Sequence, residues 1–512
     1  MHRTAVVPMS RGFSTIVSIV LAAALAATAM ILSGAPVKAQ ESAAERYIVV
    51  LAGTYALDGT YALGGNYALN HEYALQIVKA SGGTVTNDLS EQIGVLLVES
   101  SSETFYALLS QYALVESIGR DFGVKAVPSA AEMSQYALVD SSSGGGGSEP
   151  SADPFESQQW DMQQIRTEQA HAVQAGWRAV DVGILDTGID AAHADFQDPL
   201  GGGTNVDCAR GRNSIAFVPD GPGAGTPVAC SDNGFHGTHV AGTVAAQANG
   251  VGIVGVAPNV TLVPVKVCDS SGYCYASAVV DGITYSGDQK FDVINMSFFV
   301  DDNEFQQSTE FKCMDDEVQR TFRKAVERAV QYARNQGVTP VAALGNSDED
   351  LANPSEPYEN NCDVVPAETQ GVIGTGALGR LSQKAGYSNY GTGAVDIVAP
   401  GGTSTGNPQT GVFSTFPGNT YAAISGTSMA SPHAAGVAAL IVSQYGTLGT
   451  DGDVKLSPTK VEAYLQNTAI DIGLPGYDEC FGNGRIDAFR AVTGDSSKAY
   501  DGTAPHCPEY NE

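Results

Sequence analysis

The sequence predicts an α/β fold, a parallel β-sheet flanked by helices, with a small α+β unit ahead of it. Three observations lead there. Short, near-continuous apolar runs recur at residues 180–185, 262–267, 293–296, 338–344 and 372–373, alternating with helix-like stretches such as 321–336 and 431–445. Strands that are apolar along their whole length and separated by helices indicate a parallel sheet covered on both faces. Ahead of them, residues 45–127 carry two further strand-like runs, 47–51 and 93–98, with helix-like segments between and after. The Ser/Gly stretch 141–148 divides the two patterns, and such a composition builds no core.

The 512 residues are enough for two or three domains and a large core. A 43% hydrophobic fraction is ordinary for a globular protein and argues against a disordered chain. Lys and Arg number 26 against 56 Asp and Glu, a formal net charge of −30. So acidic a surface repels phosphate backbones and anionic lipid heads, which argues against nucleic-acid and membrane-surface partners.

Arg3 and Arg11 precede an uncharged apolar run, 16–32, followed by Val37-Lys38-Ala39 with small residues at a signal-peptidase site. Residues 1–39 therefore read as a signal peptide, with an uncleaved anchor as the alternative. No later stretch is long and apolar enough to span a bilayer, so the expectation is export without a membrane partner thereafter. The eight cysteines include no CxxC, which favours disulfides of an oxidising compartment over zinc ligation. Nearest-neighbour pairing is the working expectation: Cys208–Cys230, Cys268–Cys274, Cys313–Cys362 and Cys480–Cys507.

The tripeptide Tyr-Ala-Leu begins at Tyr55, Tyr61, Tyr67, Tyr73, Tyr106, Tyr112 and Tyr136. Its six-residue spacing suits neither a helix face nor a solenoid. The expectation is an insertion repeat tolerated in loops and helix ends.

Parallel sheets place chemistry at the carboxyl ends of their strands. One run ends in Asp186-Thr187-Gly188. Alone this is weak, since Asp-Thr-Gly also marks aspartic proteases, but a second such triplet is missing. His236-Gly237-Thr238-His239 opens a helix. A zinc reading would want a helical Glu between the histidines and a third ligand. Gly426-Thr427-Ser428-Met429-Ala430-Ser431-Pro432-His433 leads into a helix apolar on every face, which should be buried. Pro432 is read as lying in its first turn. Ser428 then sits at a buried helix N-terminus, where free N–H groups favour developing negative charge. A helix-start serine is most often only a cap, yet Thr427 and Ser431 are also on hand for that.

Together the three segments supply an acid, a base and a nucleophile in the order Asp, His, Ser, and here the chain resembles the subtilisin-like serine proteases over roughly residues 155–492. The resemblance implies Asp186, His236 and Ser428 as a triad, with His239 structural. Ala342-Ala343-Leu344-Gly345-Asn346 matches the segment whose Asn donates to the oxyanion, implying Asn346 beside the Ser428 N–H. Substrate is expected to add as a strand between Gly272-Tyr273-Cys274 and the run from Ser297, with Ala343, Leu344 and Gly345 lining the primary pocket. Phe298 and Phe299 replace the family's small residues, which predicts an altered cleft. Asp348, Glu349 and Asp350 hint at basic substrates. The resemblance also implies a structural Ca²⁺ held by Asp195, the Asn249 side chain and the carbonyls of Gln247, Val251 and Ile253, oxygen ligands that suit calcium. No cofactor is expected for catalysis.

The implied organisation is a signal peptide (1–39), a ferredoxin-like α+β propeptide (40–140), a linker (141–152), a subtilisin-like catalytic domain (153–493) and a tail (494–512). The implied function is a secreted, self-processing serine endopeptidase acting on protein or peptide substrates, with its own propeptide as chaperone and inhibitor. A narrow precursor-processing protease and a catalytically silent binding protein on the same scaffold are the alternatives.

Overall fold

The computed structural model describes residues 44–55, 61–63, 67–129, 132, 138–140, 153–198, 203–218, 228–299, 317–353, 363–403, 406–450 and 452–502. The expected signal peptide, the 141–152 linker, Tyr136, and Cys313, Cys362 and Cys507 lie outside them. Residues 45–512 form one compact unit.

The N-terminal part runs β1 (Glu45–Leu51), α1 (Tyr67–Ala80), β2 (Gly83–Leu89), β3 (Val95–Ser100), α2 (Phe105–Leu109), β4 (Val115–Arg120) and β5 (Gly123–Lys125). β2, β3, β1 and β4 make an antiparallel sheet in that spatial order, the βαββαβ arrangement expected of this segment. Alternate residues of β1 face opposite ways. Tyr47, Val49 and Leu51 pack on the helices with Ile77, Val78 and Phe105. Ile48 and Val50 join the core of the following domain. The Tyr-Ala-Leu copies depart from expectation, because they are not confined to loops and helix ends. Tyr61–Leu63 is a hairpin strand paired with Gly53–Tyr55, and the copies at Tyr67 and Tyr73 build the first half of α1. Ala and Leu are strong helix formers, so in-phase copies extend a helix where one already starts.

The larger part carries α3 (Trp160–Gln164), β6 (Asp181–Asp186), α4 (His236–Ala245), β7 (Thr261–Lys266), β8 (Tyr273–Tyr275), α5 (Ala276–Asp288), β9 (Val293–Met296), α6 (Glu317–Asn335), β10 (Thr339–Ala343), β11 (Ile373–Leu378), β12 (Ile397–Pro400), β13 (Val412–Phe416), β14 (Thr420–Ile424) and α7 (Thr427–Tyr445). A short strand, Arg212–Asn213, then β7, β6, β9, β10, β11 and β12 form a seven-stranded sheet, parallel throughout. Every residue of α7 from Thr427 to Ser443 is buried, as a helix apolar on every face requires. Pro432 is a correction: it is the sixth residue of α7, in the second turn rather than the first.

The N-terminal sheet sits on α5 and α6. Asp121 accepts from the Ser277 N–H (2.9 Å) and Oγ (2.6 Å) at the start of α5. Arg328 of α6 donates to the carbonyls of Leu51 (3.0 Å) and Ile93 (3.3 Å), while Lys324 pairs with Glu116 at 2.6 Å. Cys208–Cys230 and Cys268–Cys274 are disulfides as expected. Cys480 is also disulfide-bonded, and its partner lies outside the described residues. No helix among the described residues is long and apolar enough to cross a membrane.

Candidate active site

Asp186 ends β6, and its carboxylate meets the His236 imidazole at the start of α4: Nδ1 lies 2.9 Å from Oδ1 and 3.0 Å from Oδ2. Both side chains are buried. The carboxylate fixes the tautomer, because an ionised Asp only accepts and Nδ1 must therefore carry the proton. Nε2 of His236 is buried and has no hydrogen-bond partner among the described residues. The approach is close enough to dictate sequence. A Cβ on Gly237 would stand 2.1 Å from the carbonyl oxygen of Gly188, which itself has φ +113°. Two glycines are needed for the acid-bearing turn to meet the histidine helix.

A buried polar cluster not foreseen in the sequence braces this contact. Asp232 accepts from Thr187 Oγ1 (2.8 Å), Thr238 N (2.9 Å) and Thr238 Oγ1 (2.7 Å), and Thr187 Oγ1 accepts from Gly237 N (2.9 Å). Burial pushes the Asp232 carboxyl up, against the pull of the Lys266 charge. Lys266 pairs in register with Asp186 and donates to the Thr187 carbonyl. A lysine ending an apolar buried run was the available signal.

Ser428, only 5% exposed, is the second residue of α7. Its Oγ donates to the Ser297 carbonyl at 3.1 Å rather than to His236. Its own N–H, at a helix start where no preceding turn can accept it, has no partner among the described residues. Asn346 follows β10. Its Oδ1 accepts from Thr427 N (2.9 Å) and Thr427 Oγ1 (2.8 Å), which fixes the amide orientation and leaves Nδ2 as the outward donor. Asn346 is exposed. Donors of two different elements thus flank Ser428. His239 takes no part: its Nε2 donates to the carbonyls of Val412 (3.2 Å) and Ala422 (3.1 Å), and burial pulls its pKa to about 3.

The edge expected to receive substrate holds the chain's own β5, antiparallel to β8: Gly123 faces Tyr275, Val124 faces Cys274 and Lys125 faces Tyr273. The Gly272 carbonyl accepts from Ala126 N (3.0 Å) and Val127 N (3.3 Å). The opposite edge is the run from Ser297. Ser297 is wholly buried and turned inward, its Oγ donating to the Ser428 carbonyl at 2.8 Å. Phe298, 1% exposed, packs into the core rather than the cleft, since successive side chains of an extended segment alternate in direction. Phe299 is half-buried and lies 3.8 Å from where a Cβ on Gly345 would be. Ala343 and Leu344 are buried, and the Leu344 carbonyl accepts from Asn389 Nδ2 at 3.2 Å. Of the acidic run, Asp348 is paired with Lys384, and Asp350 caps its own turn at Ala352 and Asn353.

The expected calcium loop wraps Asp195, whose Oδ1 accepts from Tyr421 (2.8 Å) and whose Oδ2 accepts from Ile253 N (3.1 Å). Asn249 donates Nδ2 to the carbonyls of Ala194 (3.0 Å) and Gln197 (2.9 Å), and its Oδ1 accepts from Val251 N (2.9 Å). The carbonyls of Gln247, Val251 and Ile253 accept no hydrogen bond among the described residues. Burial, with the nearby Asp153 charge, pushes Asp195 up to about 8. Idle carbonyls beside a desolvated carboxylate are a donor set that fits a hard cation.

The fold and the family match define a serine endopeptidase. The chain belongs to the subtilase family, whose model matches residues 178–484. It is 37% identical over 313 residues to subtilisin DY of Bacillus licheniformis, spanning 61% of this chain and 90% of that one. It is 32% identical over 333 residues to subtilisin Savinase of Lederbergia lenta, spanning 65% and 98%. Among solved structures, the epidermin leader peptide processing serine protease of Staphylococcus aureus superposes with a TM-score of 0.64 at 21% identity, over 89% of this chain and 99% of that one. A lanthipeptide protease does so with 0.53 at 25% identity, over 65% and 93%.

Proposed function

We propose that Asp186, His236 and Ser428 are the triad of a secreted endopeptidase made as a self-processing precursor. The observation that carries this is the His236 ring, held at Nδ1 by both Asp186 oxygens with Nε2 unpartnered beside the helix that bears Ser428. The mechanism requires Ser428 Oγ to leave the Ser297 carbonyl and turn to Nε2. His236 then removes the hydroxyl proton as Oγ attacks the peptide carbonyl, and Asp186 stabilises the imidazolium. Asn346 Nδ2 and the Ser428 N–H bind the oxyanion. The imidazolium gives its proton to the leaving amine, and water repeats the cycle on the acyl-enzyme.

Residues 40–140 act as the propeptide. The β5–β8 pairing supports this, because the segment occupies the edge an extended substrate would take. A parallel sheet of high contact order folds slowly, which gives such a template a physical purpose. A structural Ca²⁺ would be held by Asp195, Asn249 and the carbonyls of Gln247, Val251 and Ile253, binding the loop after α4 to Asp195.

Ser428→Ala is the test. The variant is expected to remain an unprocessed precursor and to take up no fluorophosphonate label. Maturation of that variant with no other protease present would overturn the triad, and an unlabelled parental chain would favour a silent binding protein.

Narrow processing specificity is a second reading, favoured by Phe299 beside Gly345, where bulk restricts the pocket wall. The superposing lanthipeptide protease, at 25% identity, points the same way. Cleavage confined to a few sequences of a mixed peptide library supports it, and broad cleavage removes it.

A further inference from the structure

Outside the triad lies a second acid–imidazole contact. His433, on α7 five residues after Ser428, points its Nε2 at Asp161 Oδ2 of α3 at 3.0 Å, and both side chains are 0% exposed. Its Nδ1 lies 2.8 Å from the carbonyl oxygen of Met429. A carbonyl only accepts, so Nδ1 carries a proton, and Nε2 and the carboxylate share another. Asp161 Oδ1 has no partner among the described residues. A buried carboxylate with a single polar contact is a poor way to gain stability.

Its placement accounts for it better. Pro432 has no N–H to give the Ser428 carbonyl, so the turn bearing Ser428 lacks a helix rung. Two side chains grip that turn instead: Ser297 Oγ holds the Ser428 carbonyl, and His433 holds the next carbonyl along. Asp161 is itself held by the two residues before it. Gln159 exchanges two hydrogen bonds with the Val254 main chain (2.9 and 3.0 Å), and Trp160 Nε1 donates to the Gly411 carbonyl at 2.8 Å. The ring is thus set from a rigid segment at the start of the catalytic domain.

We propose that Asp161 and His433 are positioning residues for Ser428, orienting the first turns of α7 so that its N–H and hydroxyl are aimed. The proposal rests on Ser428 being the nucleophile. The test uses the full chain after maturation, with Asp161→Leu and Asp161→Asn. An Asn amide donates to the Nε2 of a neutral ring and preserves the geometry, whereas Leu leaves Nε2 unheld. Well below each melting temperature, Asp161→Leu is expected to react with a fluorophosphonate at least about tenfold more slowly, with kcat lowered and KM for a peptide unchanged. Asp161→Asn is expected to stay within about threefold of the parental rate. Should the Leu variant not fold, Asp161→Glu, which displaces the carboxylate by one methylene, is read in the same way. A folded Leu or Glu variant that labels at the parental rate, whatever its melting temperature, overturns the proposal. An unlabelled parental chain instead brings down the nucleophile assignment, and this proposal with it.

Discussion

Ser297 Oγ donates to the Ser428 carbonyl at 2.8 Å, the hydrogen bond that the ring of Pro432 cannot make. The relation is reciprocal, for Ser428 Oγ donates to the Ser297 carbonyl at 3.1 Å. Asn295 Nδ2 donates to Ser297 Oγ at 2.8 Å, and Ser431 Oγ donates to Asn295 Oδ1 at 2.7 Å. Ser428 is therefore tied to the end of β9 by a closed polar circuit.

Ser297→Ala orphans a buried carbonyl and is expected to cost about 1–3 kcal/mol of stability and to slow acylation. Pro432→Ala restores a helix N–H four residues after Ser428, so the double variant should recover much of the loss. Thermal melts and labelling rates of the four-member cycle check this, and strict additivity would contradict it.

Asn346→Leu removes the proposed oxyanion donor while sparing the Asp186–His236 contact. The expected outcome is a fall in kcat of about 10²–10³ with KM little changed, the loss known for such a donor in subtilisin. Steady-state kinetics on a chromogenic peptide measures it.

Asp292 is buried and accepts the Asp181 N–H at 2.9 Å. Burial foremost, then the charges of Asp181 and Asp453 against that of Arg210, raises its pKa to about 8. Its native form binds a proton more tightly than the unfolded chain, so its contribution is complete below about pH 4 and is lost as pH rises through about 8. Asp292→Asn keeps the acceptor without the charge. Its melting temperature should match the parent below about pH 4 and exceed it by a margin that grows up to pH 9, a gap there worth on the order of a few kcal/mol.

Calcium chelation is expected to lower the melting temperature of the parental chain and to leave that of Asp195→Asn nearly unmoved. Calorimetry with and without chelator reads both, and equal shifts in the two proteins would dismiss the proposed ligand set.

Much of this was legible because the sheet is buried on both faces. The apolar runs at 180–185 and 293–296 mark β6 and β9 within a residue, and the strand-end Asp, the helix-start His and the serine ahead of an all-apolar helix lie in contiguous motifs. What was not legible depends on direction and on distant partners. Phe298 and Phe299 read as one bulky pair, yet alternation sends one inward. Pro432 reads as a first-turn residue because helix starts are fixed by capping geometry, not composition. Asp161 carries no local signal at all, since the one partner of its side chain among the described residues lies 272 positions away.

The Cys268–Cys274 bridge closes the loop that enters β8. An edge so clamped loses little freedom when a peptide lies down on it, so the ordering has been completed during oxidation rather than at each encounter. A thiol reductant would therefore loosen the grip on extended peptides before it touched the chemistry, and the enzyme would be at its most retentive only where disulfides persist.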